Sequence, residues 1–445
     1  MNFGQVSSGN PDGPEQHFKL TNHRPLGEEQ MTASVDVAIV GAGVTGLALA
    51  IALREKNVST VLLDARRNIE TVPRGLTLQP NGLEALDRLG LLGKVTNGGE
   101  KIRVFEIRSP DGKTLLEADY GLLDHPQNYL MTVNASDLDL ALRYKAEQTG
   151  AEVVWEAAFL DLTHNNGQVQ GLSFETKEGK EQINASVIVG ADGSQSPVRA
   201  AMGSKVSTKK YPDSFITGLA GPEESYSHSI RGFQGRARQY QDTGLMLGLM
   251  PAAQNYTYFF YSVGSRSFDD IKKAGLQSLQ KELAQIAPES RDTFSSIQAW
   301  TRIGYFTPNY SRVDRWVDDG VALLGDSAHT FHPHAGQGLN LSLQDSLVLA
   351  EVIRKGLDAH DTSLRTLQEY ETRQKMYAEV IGMHADYSAR FALSRSWLIK
   401  RLNRRVLRKL SRDKDLLKET LEIVAGIFTK KPGVVKLARM GGILP

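Results

Sequence analysis

The period of apolar and polar positions changes several times along this chain, and each change marks an element. Residues 35–40 are a short, mostly apolar run, followed by a glycine turn, apolar positions at helical spacing over 47–56, and a second apolar run at 60–63. Short apolar runs bounded by turns read as buried strands, and i, i+3, i+4 spacing reads as helix, so this stretch predicts a β-α-β unit. The order strand, glycine turn, helix recurs later: the apolar run 321–324 leads into Gly325-Asp326-Ser327-Ala328-His329 and on to Pro333-His334-Ala335-Gly336-Gln337-Gly338-Leu339-Asn340, with helical spacing over 341–353. A third buried strand, 186–189, runs into Gly190-Ala191-Asp192-Gly193. Pro80-Asn81 opens a short amphipathic helix ending near Gly90 or Gly93, and 136–149 reads as a helix with Ser136 as its N-cap. Alternation over 101–118 around Pro110-Asp111-Gly112-Lys113, and a turn at Asn165-Asn166-Gly167, predict hairpins.

From about 205 to 310 the pattern is different. Runs at 217–219, 244–250 and 256–263 read as strands of a mostly antiparallel sheet, interrupted by a helical insertion near 268–288. Tyr256, Tyr258, Phe259, Phe260 and Tyr261 alternate in a way that suits ordinary sheet core or the wall of an apolar pocket. Beyond 361 the chain reads as helix almost throughout. The expected fold is therefore α/β: a Rossmann-like nucleotide-binding domain interleaved with a mostly antiparallel β-sheet substrate domain, plus C-terminal helices. Its expected parts are a flexible tail at 1–34, a discontinuous binding domain at 35–204 with 305–360, a sheet at 205–304 and a helical region at 361–445, with 101–130 able to join the sheet side.

Composition narrows the chemistry. The 445 residues include 52 basic and 51 acidic side chains, a balance that gives no reason to expect nucleic acid. There is no cysteine, which removes disulfides, thiolate metal sites and cysteine nucleophiles, so redox work must be borrowed from a cofactor. The tail lacks the basic start and apolar core of a secretion signal, and no apolar stretch approaches the roughly 18 residues of a membrane span, so a cytoplasmic location is expected.

Gly41-Ala42-Gly43-Val44-Thr45-Gly46 lies between strand and helix, and Asp64 ends the next strand about 20 residues on, which is the context a dinucleotide fingerprint requires. The first glycine makes the tight turn, the second admits a pyrophosphate, the third lets helix pack on strand, and Asp64 can bind an adenosine ribose. By itself this does not separate NAD from FAD. The later segment suits a flavin: Asp326 can accept from a ribityl hydroxyl, while Gly336 and Gly338 let a ring system approach the backbone at a helix start, where negative charge is stabilised.

These three elements, in this order, resemble the single-component FAD aromatic hydroxylases, the para-hydroxybenzoate hydroxylase-like flavoprotein monooxygenases, and most closely their ubiquinone-biosynthesis-hydroxylase-like branch. The resemblance covers roughly 35–355. It implies that Gly41, Gly43, Gly46 and Asp64 bind the adenosine half of FAD, that Asp192 and Gly193 serve FAD and NAD(P)H, and that Asp326 holds the ribityl chain. It further implies that Pro333, Gly336, Gly338, Leu339 and Asn340 border the isoalloxazine, that the Pro333 carbonyl orients or polarises the substrate, and that Arg74 contacts FAD. The implied reaction uses NADH or NADPH and O2 to hydroxylate an aromatic or other electron-rich apolar molecule through a flavin C4a-hydroperoxide. Alternatives on the same fold are a flavin-dependent reductase or saturase of a prenyl-type substrate and a low-activity flavin-binding partner in a biosynthetic complex.

This chain departs from its relatives at Ala135, where similar proteins carry an arginine three residues before the leucine aligned with Leu138. Arg143 or another cation would have to substitute. Asp64 for glutamate and Asn57 for glycine are milder changes. His329, His332 and His334 have a spacing met in metal sites, but without cysteine, and with Asp326 already employed, they read as loop or flavin-side residues and no metal is expected. Residues 395–412, from Arg395 to Arg412, hold eight Lys or Arg, with Leu398, Leu402, Val406 and Leu410 spaced along a helix. Such a helix can lie on an anionic membrane surface, or pack on the body of a monomer or a homodimer, which the acids of 413–422 favour.

Overall fold

A computed structural model describes residues 34–67, 75–97, 99–221, 235–430 and 433. Arg74 and all but the last residue of the expected tail fall outside them. The first sheet is built on five parallel strands, in the order Val321–Leu323, Gly179–Gly190, Ser34–Val40, Thr60–Asp64, Glu152–Trp155. The inner residues of the first four are apolar and buried on both faces, as parallel strands covered by helices must be, while Glu152–Trp155 forms a partly exposed edge. The helices Val44–Arg54, Ala135–Gln148 and Gly338–Asp358 pack together on this sheet. The strand Gly179–Gly190 is longer than its apolar core suggested, because its polar first half pairs antiparallel with Gln168–Thr176 beyond the sheet.

The second sheet has seven strands, in the order Ile303–Phe306, Ser214–Ala220, Thr257–Gly264, Leu245–Pro251, Arg236–Asp242, Val104–Arg108, Thr114–Asp119. Every neighbour is antiparallel except Arg236–Asp242 with Val104–Arg108. The hairpin 104–119 thus extends the middle sheet from a distant part of the chain. The strand Arg236–Asp242 has no apolar run to announce it: Gln239 and Gln241 occupy its inward positions, and both are buried.

Side-chain alternation separates the aromatic cluster into its two readings. Phe259 and Tyr261 point into a core with the helices Phe268–Ala274 and Leu276–Ile286, while Tyr258 and Phe260 face the opposite side. The expected cap at Ser136 is corrected. The helix begins at Ala135, with Asn134 at its N-cap, because the strand Leu130–Asn134 runs straight into it and places Ser136 inside the first turn.

The C-terminal helices Leu364–Ala392, Trp397–Arg412 and Lys414–Val424 close over the free side of the second sheet. The four-residue spacing from Leu398 to Leu410 does not keep one face, since each step of four drifts by about 40° around a 3.6-residue helix. Val406 and Leu410 therefore pack inward with Leu407, while Leu398 stands 61% exposed.

The sheet core yields a stability prediction. Phe259→Ala, at a fully buried position against Phe294, should cost about 3–5 kcal/mol in reversible denaturation. Phe260→Ala, on the cavity side of the same strand, should cost clearly less.

Candidate functional site

Parallel pairing places the three motif loops side by side at the carboxyl edge of the first sheet. The ladder continues into the loops: the Gly41 amide donates to the Leu63 carbonyl at 2.7 Å, Ala191 to Val40 at 2.8 Å, and Leu324 to Gly190 at 2.9 Å. Gly41 has φ +107°, and a Cβ there would lie 2.3 Å from the Ala191 oxygen, so both conformation and crowding require glycine. At Gly46 a Cβ would meet the Gly41 oxygen at 1.9 Å, which is the close packing of helix on turn. Gly43, by contrast, has nothing within 4 Å of its Cβ position and leaves the helix start open. A crowded first and third glycine around an open second one is the cradle a dinucleotide pyrophosphate fits.

Asp64 sits at the end of its strand, 7% exposed, and is already engaged. Its Oδ2 accepts from the Ala42 amide at 2.8 Å, and Arg66 grips both oxygens at 2.7–2.9 Å. Burial alone would raise its pKa, but these donors outweigh it and hold the carboxyl below its ordinary value. Asp192 accepts from the Val198 amide at 3.0 Å, capping the helix Pro197–Ala201 together with Ser196, while its other oxygen is buried without a partner and burial pushes the group up. That orphaned oxygen awaits a donor. Gly193, at φ +82°, has open space beside it. Arg199 ties this loop to the next one, donating to the carbonyls of Ser194 at 2.7 Å and Ser327 at 2.9 Å. This staple comes from the short helix that follows the Asp192 motif, and nothing in the sequence says where a lone arginine will reach.

Asp326 follows its strand and opens into a cavity of about 1130 Å³. No described residue donates to its carboxylate, and the surrounding protein pushes the carboxyl up, while His329 opposes that shift. Pro333, His334, Gly336, Gly338 and Leu339 line the same cavity. The Pro333 carbonyl takes the Gly336 amide at 2.8 Å, which leaves it one lone pair, and Gly336 closes that turn at φ +59°. Asn340 does not reach the wall. It is fully buried behind it, accepting from the Gln79 amide at 2.9 Å and donating to the Thr77 and Gly336 carbonyls. Gln337 is fixed similarly, to Asn81 and the Val424 carbonyl, so the C-terminal region holds the loop from outside.

The rest of the cavity wall comes from elements far apart in sequence. Phe215, Met246, Met250, Tyr258 and Phe260 face it from the second sheet, Phe105 and Ile107 from the hairpin, and Tyr387, Phe391, Leu407 and Leu421 from the C-terminal helices. Among its polar lining groups are Asp326, Gln239, Gln241, Asn403, His334 and His384. None of the C-terminal members was legible in the sequence, because helical spacing does not tell which neighbour a face will meet. A smaller cavity of about 580 Å³, bordered by Glu84, Arg88 and Arg373, lies behind the helix Pro80–Arg88 and is reached by none of the glycine motifs.

The three histidines diverge. His329 pairs with buried Asp345 at 2.7 Å, His332 packs edge-on against Tyr211 and Phe215, and His334 turns to the cavity. Among the described residues no three His, Asp or Glu side chains converge as a metal site would need. At the Ala135 departure the side chain is buried, and Arg143 lies over Trp155, the register partner of Asp64, while pairing with Glu147. Asn57 adopts φ +58°, a conformation asparagine tolerates better than most residues, in line with a mild exchange for glycine.

This fold and this cradle define a flavin-binding oxidoreductase, and comparison with known proteins places it further. Residues 34–383 match the FAD binding domain family, and the chain belongs to that family. It is 30% identical over 358 residues to ubiquinone hydroxylase UbiL of Rhodospirillum rubrum, covering 76% of this chain and 77% of the relative. It is 26% identical over 358 residues to 6-methylpretetramide 4-monooxygenase of Streptomyces rimosus, covering 78% and 82%. The fold is shared with p-nitrophenol 4-monooxygenase PnpA of Pseudomonas putida, at a TM-score of 0.77 and 18% identity over 89% of this chain and all of that one. It is shared too with PqsL of Pseudomonas aeruginosa, at 0.72 and 23% over 81% and 97%. The protein is an FAD-dependent monooxygenase of the aromatic hydroxylase type.

Burial holds His332 near pKa 3 and His334 and His384 near 4, neutral at physiological pH. The unfolded chain takes up these protons as pH falls through about 6.5, so their stabilisation is complete above that value and is lost as pH drops toward 4. His332→Asn should therefore flatten the fall of stability below pH 6.5, by on the order of 1 kcal/mol per pH unit, as measured by urea unfolding across pH.

Proposed function

We propose that the enzyme uses NADH or NADPH and O2 to hydroxylate an aromatic or other electron-rich apolar small molecule held between the second sheet and the 333–339 loop. The observation that carries this reading is that Asp326, Gly336, Gly338 and Leu339 line the same cavity as the aromatic face of the sheet. A flavin bound by the first group would share one chamber with a substrate lying against the second.

In this reading Gly41, Gly43, Gly46 and Asp64 hold the adenosine half of FAD, with Arg66 paired to Asp64. The free oxygen of Asp192, with Gly193, receives a further hydroxyl of FAD or NAD(P)H. Asp326 accepts from the ribityl chain, and Arg74, outside the described residues, precedes Gly75 on the cavity wall. Asn340 acts from behind, clamping Thr77 and Gly336 so that the loop keeps its shape. Bound FAD, reduced by the nicotinamide, supplies the activation of O2, with one oxygen atom going to the substrate and the other to water.

The chain's own contribution is placement and exclusion of water. Leu339 and the Pro333 ring border the flavin end, and the N-terminus of the helix Gly338–Asp358 stabilises negative charge beside them. The aromatic and methionine wall keeps the chamber dry. Gln239, Gln241 and the neutral imidazoles of His334 and His384 can orient a substrate hydroxyl or carbonyl without introducing a charge. Relatives named for 6-methylpretetramide and ubiquinone, and PqsL solved with 2-aminobenzoylacetate, support a ring bearing such groups.

The test is to screen the FAD-loaded enzyme with phenols, quinolones and polyketide-like aromatics under ¹⁸O2. A substrate should accelerate NAD(P)H oxidation and leave as a product carrying one ¹⁸O. Product formed equally well without oxygen would sink the monooxygenase reaction in favour of a reductase. For the site, Asp326→Ala should weaken FAD about ten-fold or more with the fold retained, read by flavin titration, since a hydrogen bond to a charged group contributes about 1.5–3 kcal/mol.

A further inference from the structure

We propose that the outer face of the helix Trp397–Arg412 docks on an anionic lipid bilayer. The inner face of this helix is accounted for: Leu407 and Leu410 are buried against the hairpin and the last helix, and Asn403 lines the cavity. Lys400, beside that face, pairs with Asp242. The outer face is different. Arg401, Arg404, Arg405, Arg408 and Arg412 fall on it, spread over about 17 Å of helix, and none of them forms an ion pair among the described residues. At its first turn stand Trp397, 72% exposed, and Leu398, 61% exposed, two large apolar side chains left in water.

That combination suits one surface. A bilayer interface takes tryptophan and leucine at the depth of the headgroups while anionic lipids neutralise a row of arginines, and each such cation contributes about a five-fold gain in partitioning. A protein partner would need a matching row of acids beside an apolar pocket for the same residues. The acids that follow, Asp413, Asp415, Glu419 and Glu422, stand outside the row at the start of and along the next helix, where Lys414 and Lys418 offset part of their charge and Asp413 serves as the cap, accepting from the Leu416 amide at 3.0 Å. Tyr387, on the preceding helix, is 55% exposed and also lines the cavity, so the cavity wall reaches solvent at that residue. The docking does not depend on the proposed hydroxylation and is measured without turnover.

The experiment is flotation of the FAD-loaded full chain with vesicles of phosphatidylcholine alone or with 30 mol% phosphatidylglycerol (about the anionic content that charge-driven binding needs), at low and high salt. Binding should require the anionic lipid and fall as salt rises. Arg401→Gln with Arg405→Gln should weaken it about 25-fold, and Trp397→Ser with Leu398→Ser should also release the protein, both with unchanged flavin content and circular dichroism. Equal binding to both vesicle types, no binding to either, or binding untouched by these substitutions overturns the proposal. A concentration-dependent dimer that Trp397→Ser dissociates, without any vesicle binding, would instead give this face to a second copy of the chain.

Discussion

The site depends on one piece of hydrogen-bonding geometry, the parallel insertion of the strand Gly179–Gly190 between Ser34–Val40 and Val321–Leu323. Parallel strands deliver their carboxyl ends to the same edge, so loops about 150 and 285 residues after the first glycine motif in sequence become its neighbours in space. Because the hydrogen-bond ladder runs past the strands into Gly41, Ala191 and Leu324, no loop can shift without breaking a bond of the next. The crowding of Gly41 against the Ala191 oxygen and the Arg199 reach to Ser327 lock the same three segments from the side. A cradle made from three chain segments is rigid for this reason.

The second sheet answers a different requirement. A parallel sheet with helices on its faces offers a crevice at its carboxyl edge, and here the chamber is completed by a second sheet that leans over that edge. The seven-stranded sheet does this with one face, while its other face is sealed by the 268–295 helices. Strict alternation lets one run of aromatics serve both purposes, Phe259 and Tyr261 for cohesion and Tyr258 and Phe260 for the wall. The close approach of the Phe260 ring to Gly248, where a Cβ would lie 2.1 Å away, shows how tightly that wall is drawn.

The cradle was legible in the sequence because its constraints are local. A glycine that must turn and an acid that ends a strand leave their mark within a few residues, as Gly41 to Gly46, Asp192 and Asp326 do. The mostly antiparallel character of the middle region was legible for the same reason. What escaped was set by distant partners. The strand Arg236–Asp242 is polar because it faces a chamber, and a period-2 pattern with glutamine at the inward positions carries no apolar signal. Ser136 looked like a cap because the strand before the helix could not be known to continue to Asn134. The leucines at four-residue spacing suggested one stripe, and only the neighbours decide that Leu410 packs while Leu398 does not. Asn340 reads as a ligand group by position, yet its amide is committed to the protein on both sides.

The electrostatics of the chamber follow from this arrangement. Among its described lining residues Asp326 is the one carboxylate, and none is lysine or arginine, while the two lining histidines are held neutral by burial. In a largely apolar space a charge that develops during reaction is felt strongly and is met best by fixed dipoles. The start of the helix Gly338–Asp358 is that dipole, and the Asn340 clamp keeps its first turn aimed at the chamber. Removing charge from the wall therefore does more than limit solvation: among the described lining groups it leaves the N-terminus of the helix Gly338–Asp358 as the fixed positive pole facing the chamber.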